Sequence, residues 1–174
     1  MTLLITNQQR VAKQVLLSLR GMFGNAEVAG GAPRDWYLGK CARDIDIYVR
    51  WRRFDVLVKE RIQIALNKPD VIKLGKDYDE VSSVVPEFMG CYYFDTQGIP
   101  FNTIFLNEDI VTNVTDHFDC NLSKIMWDGE NLLYGDEFLN SLSNKQITFY
   151  RSAPKHEAKM REYFPEFEIV GGVL

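Results

Sequence analysis

The chain has 174 residues, 46% of them apolar, enough to build the core of one domain. No run approaches the roughly 18 to 20 apolar residues that cross a bilayer, and the N-terminus lacks the basic-then-apolar order of a secretory signal, so a cytoplasmic protein with no membrane partner is expected. A formal charge of −4 argues against a protein that coats nucleic acid over its whole surface, and the three scattered cysteines Cys41, Cys91 and Cys120 form neither a disulfide framework nor a C-x-x-C zinc site.

In chain order, the first predicted element is a helix from about Thr6 to Phe23. Thr6 and Gln9 have capping-box spacing, Val11, Val15, Leu16, Leu19 and Phe23 make an apolar stripe, and Gly21 and Gly24 bracket its end. A short strand, Ala26 to Ala29, runs into Gly30-Gly31, and Pro33 suits the first turn of a short helix that reaches Leu38. Residues 44 to 49, Asp-Ile-Asp-Ile-Tyr-Val, alternate as a half-buried strand does. Helical periodicity follows over residues 54 to 66, with Pro69 just beyond. From Val71 to Pro86 the pattern weakens, and the acidic group Asp77, Asp79 and Glu80 is expected in an exposed loop between short strands.

Cys91 to Phe94 and Phe101 to Leu106 read as a hairpin turning through Thr96-Gln97-Gly98. A short helix is expected over Glu108 to Val114, a strand over Leu122 to Trp127, a turn at Asp128-Gly129 and a helix over Asp136 to Leu142. A last helix over 156 to 164 ends before Pro165. Helices and strands in this order, closed by a hairpin, predict an α+β fold with a mixed β-sheet flanked by helices.

The sharpest chemical feature is Asp44-Ile45-Asp46. Period two puts both carboxylates on one face of the strand and sends Ile45 and Ile47 to the core. Two like charges so close repel each other unless a cation lies between them. Magnesium suits that role, because it takes hard oxygen ligands, commonly one or two carboxylates completed by substrate phosphates. An isolated D-x-D is more often the solvent face of an edge strand, and an isolated Gly-Gly is more often an ordinary turn. Here, however, Gly30-Gly31 stands between a strand and a helix start, where glycine lets the backbone approach a phosphate closely. Charge agrees: residues 34 to 61 carry eight basic side chains against five acidic ones, although the chain as a whole is acidic.

Taken together, Val28-Ala29-Gly30-Gly31-Ala32-Pro33-Arg34-Asp35-Trp36-Tyr37-Leu38-Gly39-Lys40 and the following Arg43-Asp44-Ile45-Asp46 resemble the signature of the head domain of CCA-adding enzymes and bacterial poly(A) polymerases, in the DNA polymerase beta superfamily of nucleotidyltransferases. Asp119-Cys120-Asn121-Leu122-Ser123-Lys124-Ile125-Met126-Trp127 is similar, more weakly, to the family's R-R-D-F-T-I-N-A segment, and residues 142 to 147 to the stretch that closes the head. The resemblance implies a nucleotidyltransferase-like head over residues 1–150 with a short helical appendage over 151–174. It implies Asp44 and Asp46 as catalytic magnesium ligands, Gly30 and Gly31 along the triphosphate, and Arg34 and Asp35 organising the loop and the incoming nucleotide. Asp119 would help to position that nucleotide.

The implied reaction moves a nucleoside monophosphate from a nucleoside triphosphate such as ATP to a hydroxyl on an RNA 3′ end, a protein or a small molecule. The chain departs from the family at Asn102, where a third carboxylate is usual, and at His117-Phe118, which replace an arginine pair. Asn102 keeps open a second reading, a degenerate relative that binds a nucleotide or macromolecule without catalysis. The family's tRNA-gripping helices are reduced to residues 155 to 164, so a protein partner that supplies acceptor binding is also expected.

Other residues read more blandly. Arg50-Trp51-Arg52-Arg53 fits a nucleic-acid strand and, equally, a solvated strand end with Trp51 on the core. His117 and His156 have no metal-ligand spacing and read as surface or satisfied histidines.

Overall fold

A computed structural model describes residues 2–52, 57–73, 88–109, 111 and 113–171. The first helix, α1, spans Leu3–Phe23 and begins earlier than the Thr6–Gln9 pair predicts. Thr2 is the cap: its side chain accepts from the Ile5 N–H, and the Thr6 hydroxyl donates back to the Thr2 carbonyl. The extra turn is retained because Ile5, fully buried, extends the apolar stripe of Val11, Val15, Leu16 and Leu19.

Strand β1 (Ala26–Ala29) and helix α2 (Gly31–Tyr37) lie where the sequence places them. Strand β2 (Ile45–Trp51) alternates as expected, with Ile45, Ile47 and Val49 fully buried and Asp46 and Tyr48 partly so. Asp44 immediately precedes it. Helix α3 (Val58–Leu66) covers the described part of the predicted 54–66 helix, and a two-residue strand, β3 (Ile72–Lys73), follows. The acidic cluster Asp77, Asp79 and Glu80 lies outside the described residues.

The hairpin is longer than its apolar run indicates: β4 is Phe88–Thr96 and β5 is Ile99–Asn107. Its turn has Gln97 and Gly98 both at positive φ, 56° and 73°, as a two-residue primed turn requires.

Two expectations fail after it. No helix occupies Glu108 to Val114 among the described residues; the chain turns at Glu108-Asp109, Val111 N–H donates to the Asn107 carbonyl, and a 3-10 turn comes later at Val114–His117. Asn113 fixes that start by accepting from the Thr115 N–H, a competing side-chain cap. The strand expected from Leu122 begins only at Ile125, because Asn121–Ser123 form a second 3-10 turn; the strand, β6, is Ile125–Trp127. It pairs with β7 (Leu132–Tyr134). Then come α4 (Asp136–Asn144), β8 (Gln146–Phe149), α5 (Pro154–Tyr163) and β9 (Glu168–Gly171).

The mixed sheet has the order β3-β4-β5-β2-β1-β6-β7, and within it β2 and β5 run parallel while the other pairs are antiparallel. A parallel β8-β9 pair forms a second, small sheet. One face of the large sheet packs on α1 and α3 through Ile45, Ile47, Val49, Phe101 and Phe105. Its other face carries Ala29, Ile104 and Leu106 under Val111 and Val114. Beside that face, α4, β8 and α5 share a separate core built on Leu122, Phe138, Ile147, Phe149, Met160 and Phe164. The core therefore sits behind β2, and Asp46 projects away from it. No helix among the described residues is long and apolar enough to cross a membrane.

Candidate active site

The two acids of β2 open into a cavity of about 350 Å³. Its walls include Asp44, Asp46, Gly30, Gly31, Arg34, Asp35 and Asp119, so the seven residues to which the resemblance assigns a metal or nucleotide role line one space. Topology explains the convergence. β1 lies antiparallel beside β2 with Val28 opposite Ile47, which brings the chain leaving β1 at Gly30 alongside the start of β2, next to Asp44.

Gly30 has φ 80° and ψ −120°, a conformation essentially confined to glycine, and its N–H donates to the Ile125 carbonyl at 2.9 Å. That bond ties the turn to β6. A Cβ at Gly30 would stand 3.6 Å from the Phe118 ring, so the bend, the residue before Asp119 and the sheet pack directly together.

Asp46 is the most perturbed acid. Burial raises its carboxyl first, the neighbouring Asp44 charge raises it further, and Asn102 and Lys159 act in the opposite sense; the balance is a pKa of about 6. Asn102 stands opposite Asp46 in the parallel β2-β5 register, and its Nδ2 donates to Asp46 Oδ1 at 2.9 Å. The amide thus partners the acid that a third carboxylate would have repelled.

Arg34 is buried and committed. Its Nε and Nη2 donate to Asp35 Oδ1 at 2.9 and 2.8 Å, Nη1 reaches the Met160 sulfur at 3.7 Å, and its guanidinium lies 5.0 Å from the Phe164 ring centroid. It joins α2 to α5. Asp119 is partnered too: His156 Nδ1 lies 2.8 and 2.9 Å from its two oxygens. Burial pushes the adjacent Cys120 thiol up to about 11, so it keeps its proton at neutral pH.

Helix α5 supplies the wall that sequence reasoning missed. His156, Lys159, Met160 and Tyr163 all line the cavity. Their spacing, i, i+3, i+4 and i+7, is one helical face, and that was the available signal. It went unread because the face mixes charged, apolar and aromatic residues. Arg43 stacks on this wall, its guanidinium 4.4 Å from the Tyr163 ring centroid. The Tyr163 hydroxyl is buried without a hydrogen-bond partner.

The run Arg50 to Arg52 lies elsewhere. Arg50 pairs with Glu27, Arg52 pairs with Glu108, and Trp51 packs edge-on against Phe23 at 5.4 Å, the core-packed strand end of the two readings; Arg53 lies outside the described residues.

No family model and no curated protein matches the sequence. Solved structures do match the fold. A tRNA-processing enzyme in an apo form superposes with a TM-score of 0.63 at 17% identity, covering 94% of this chain and 44% of that one. A CCA-adding enzyme solved with ATP gives 0.62 at 17% identity, covering 98% and 40%. The Bacillus stearothermophilus CCA-adding enzyme in complex with CTP gives 0.57 at 17% identity, covering 92% and 40%. The chain has the CCA-adding-enzyme fold. It spans less than half the length of these CCA-adding and tRNA-processing enzymes.

Proposed function

We propose that the chain is a nucleotidyltransferase that moves a nucleoside monophosphate from a nucleoside triphosphate to a hydroxyl acceptor and releases pyrophosphate. The observation that carries this reading is the meeting of Asp44, Asp46 and the Gly30-Gly31 bend in one cavity that Lys159 and His156 also line. Acids alone would hold a cation, and glycines alone would make a turn. Acids, a close-approach backbone and the Lys159 cation together suit a metal-bound triphosphate.

The residues fit a divalent cation with a preference for hard oxygen ligands. Asp46 is held half-protonated near pH 6 by burial and by Asp44, a conflict that a cation removes, and the Asn102 amide orients the acid. Asp44 and Asp46 would hold magnesium, which supplies charge neutralisation for the triphosphate and the leaving pyrophosphate. Gly30 and Gly31 would line the phosphates, Lys159 would neutralise a non-bridging oxygen, and the unpartnered Tyr163 hydroxyl would gain a ligand partner. Arg34 and Asp35 work as a pair that fixes α5 over the bend. Asp119 acts through His156.

An RNA 3′ hydroxyl is the first acceptor to try, since one matched structure is a Thermotoga maritima CCA-adding enzyme complexed with tRNA. Protein and small-molecule hydroxyls complete the panel. The assay is transfer from α-labelled ATP, CTP, GTP and UTP with magnesium, beside calorimetry with the same triphosphates. Transfer that disappears in a folded Asp46→Ala variant supports the reading; equal transfer by that variant rejects it. Asn102 favours a second reading, a binding protein without turnover, and tight magnesium-dependent triphosphate binding with no labelled product anywhere in the panel would select it.

A further inference from the structure

His156 is engaged on one edge only. Nδ1 faces both oxygens of Asp119, the ring packs edge-on against Phe149 at 5.5 Å, and Nε2 has no hydrogen-bond partner among the described residues. The side chain is 30% exposed and lines the cavity. A carboxylate at Nδ1 selects the tautomer with its proton there and directs Nε2 to the open side.

The position matters more than the pairing. Asp119 follows Phe118, whose ring would meet a Cβ added at Gly30 at 3.6 Å, and α5 is fastened to α2 by the Met160–Arg34 contact one turn beyond His156. The imidazole therefore stands on the side of the cavity where the glycine bend would hold the β- and γ-phosphates. On the same helix, Lys159 lies close enough to Asp46 to stabilise its charge. The face of α5 thus runs from the acids to the phosphate side, with His156 at the phosphate end.

Resting on the nucleotidyl-transfer reading, we propose that His156 is the proton donor to the departing pyrophosphate, with Asp119 as the residue that positions its ring. The acceptor oxygen forms a bond to the α-phosphorus while the bond from that phosphorus to the β-phosphate oxygen breaks. The acceptor hydroxyl loses its proton to water; the β-phosphate oxygen takes the Nε2 proton of the imidazolium form of His156, leaving the neutral ring with its proton on Nδ1, and Nε2 then regains a proton from solvent. No co-reactant is required. Asp119 and Cys120 have ligand atoms within 4.8 Å of an imidazole nitrogen of His156, and Lys159, Arg34, Arg151 and His117 line the same cavity; an imidazole is a side chain suited to proton transfer.

A leaving-group series separates proton donation from simple electrostatic or structural roles. Single-turnover rates are measured with ATP and its β,γ-CF2, β,γ-CHF and β,γ-CH2 analogues, whose bisphosphonate leaving groups become steadily more basic, using the acceptor labelled in the panel above. His156→Gln is expected to lose about 100-fold with ATP, and the loss should widen along the series while triphosphate binding stays near that of the unaltered chain. A uniform loss across the series, or none, overturns the proposal. Thermal melting checks that the variant folds. If it does not, Asp119→Asn, which retains an acceptor for Nδ1, is measured instead and should show a smaller loss with the same widening trend. No transfer at all by the unaltered chain would defeat the parent reading and this one with it. Normal transfer with an unchanged leaving-group dependence in the variants would defeat this one alone.

Discussion

Replacing Asp46 by Asn should make the metal-free protein more stable at neutral pH, even though it removes a charge from the proposed catalytic centre. A carboxyl raised from 3.8 to about 6 is better accommodated protonated than ionised. Its raised pKa contributes stability that is fully present below pH 3.8 and is lost as pH rises through about 6. At about 1.36 kcal/mol per pKa unit, ionising Asp46 in the fold costs about 3 kcal/mol at pH 8.

Asparagine escapes that cost and still accepts from Asn102 Nδ2. For a chain of this size about 3 kcal/mol is about 6 to 12 °C in melting temperature. The assay is thermal melting of both proteins at pH 5 and pH 8, each with and without magnesium chloride. Asp46→Asn should melt higher than the unaltered chain at both pH values, by about twice as much at pH 8 as at pH 5, where about half of the cost remains. Magnesium should raise the unaltered chain at pH 8 and leave the variant nearly unmoved. Comparing the two proteins cancels the pH effects common to both. A variant that melts lower at pH 8, or an equal magnesium response in both proteins, would refute the reasoning.

Three further outcomes follow from the packing. Arg34→Ala leaves the partly buried Asp35 unpaired and frees α5 from α2, and should cost about 3 to 5 kcal/mol in urea unfolding. Gly30→Ala forces a side chain into a φ of 80° and should cost about 1 to 3 kcal/mol while weakening triphosphate binding in calorimetry, because the bend must move. Met160→Ala empties a fully packed position between α5 and the sheet and should lose about 2 to 5 kcal/mol, read by the same unfolding curves.

The first half of the fold was legible because each element there carries two agreeing signals. β2 has strict alternation and two isoleucines at 0% exposure, and β1 runs into a glycine that the backbone needs at positive φ. The second half has short elements whose signals conflict. β7 and β9 are three and four residues long, too short for periodicity, and β9 gains its place only by pairing with β8. Asn113 and Asn121 redirect the chain through side-chain bonds to backbone that no apolar pattern reports. The candidate site divides the same way. Asp44, Asp46 and the glycine bend were legible because they are close in sequence and chemically distinctive. His156 reads from the sequence as a surface or satisfied histidine; the carboxylate that pairs with its Nδ1 lies 37 residues away, and only tertiary structure brings the two together.

Asn102 bears on how the proposed site balances charge. A third carboxylate on β5 would add negative charge beside Asp46, and only cations could offset it. Asn102 instead donates a hydrogen bond to Asp46, so the acids present less repulsion for a single divalent ion to neutralise. The remaining positive charge then comes from protein side chains: Lys159 beside Asp46 and Arg43 against Tyr163. On this argument the proposed site draws part of its positive charge from Lys159 on α5. The reading carries its own consequence for α5: Lys159→Met should weaken triphosphate binding more than it weakens magnesium binding, and calorimetry of the two ligands separately decides it.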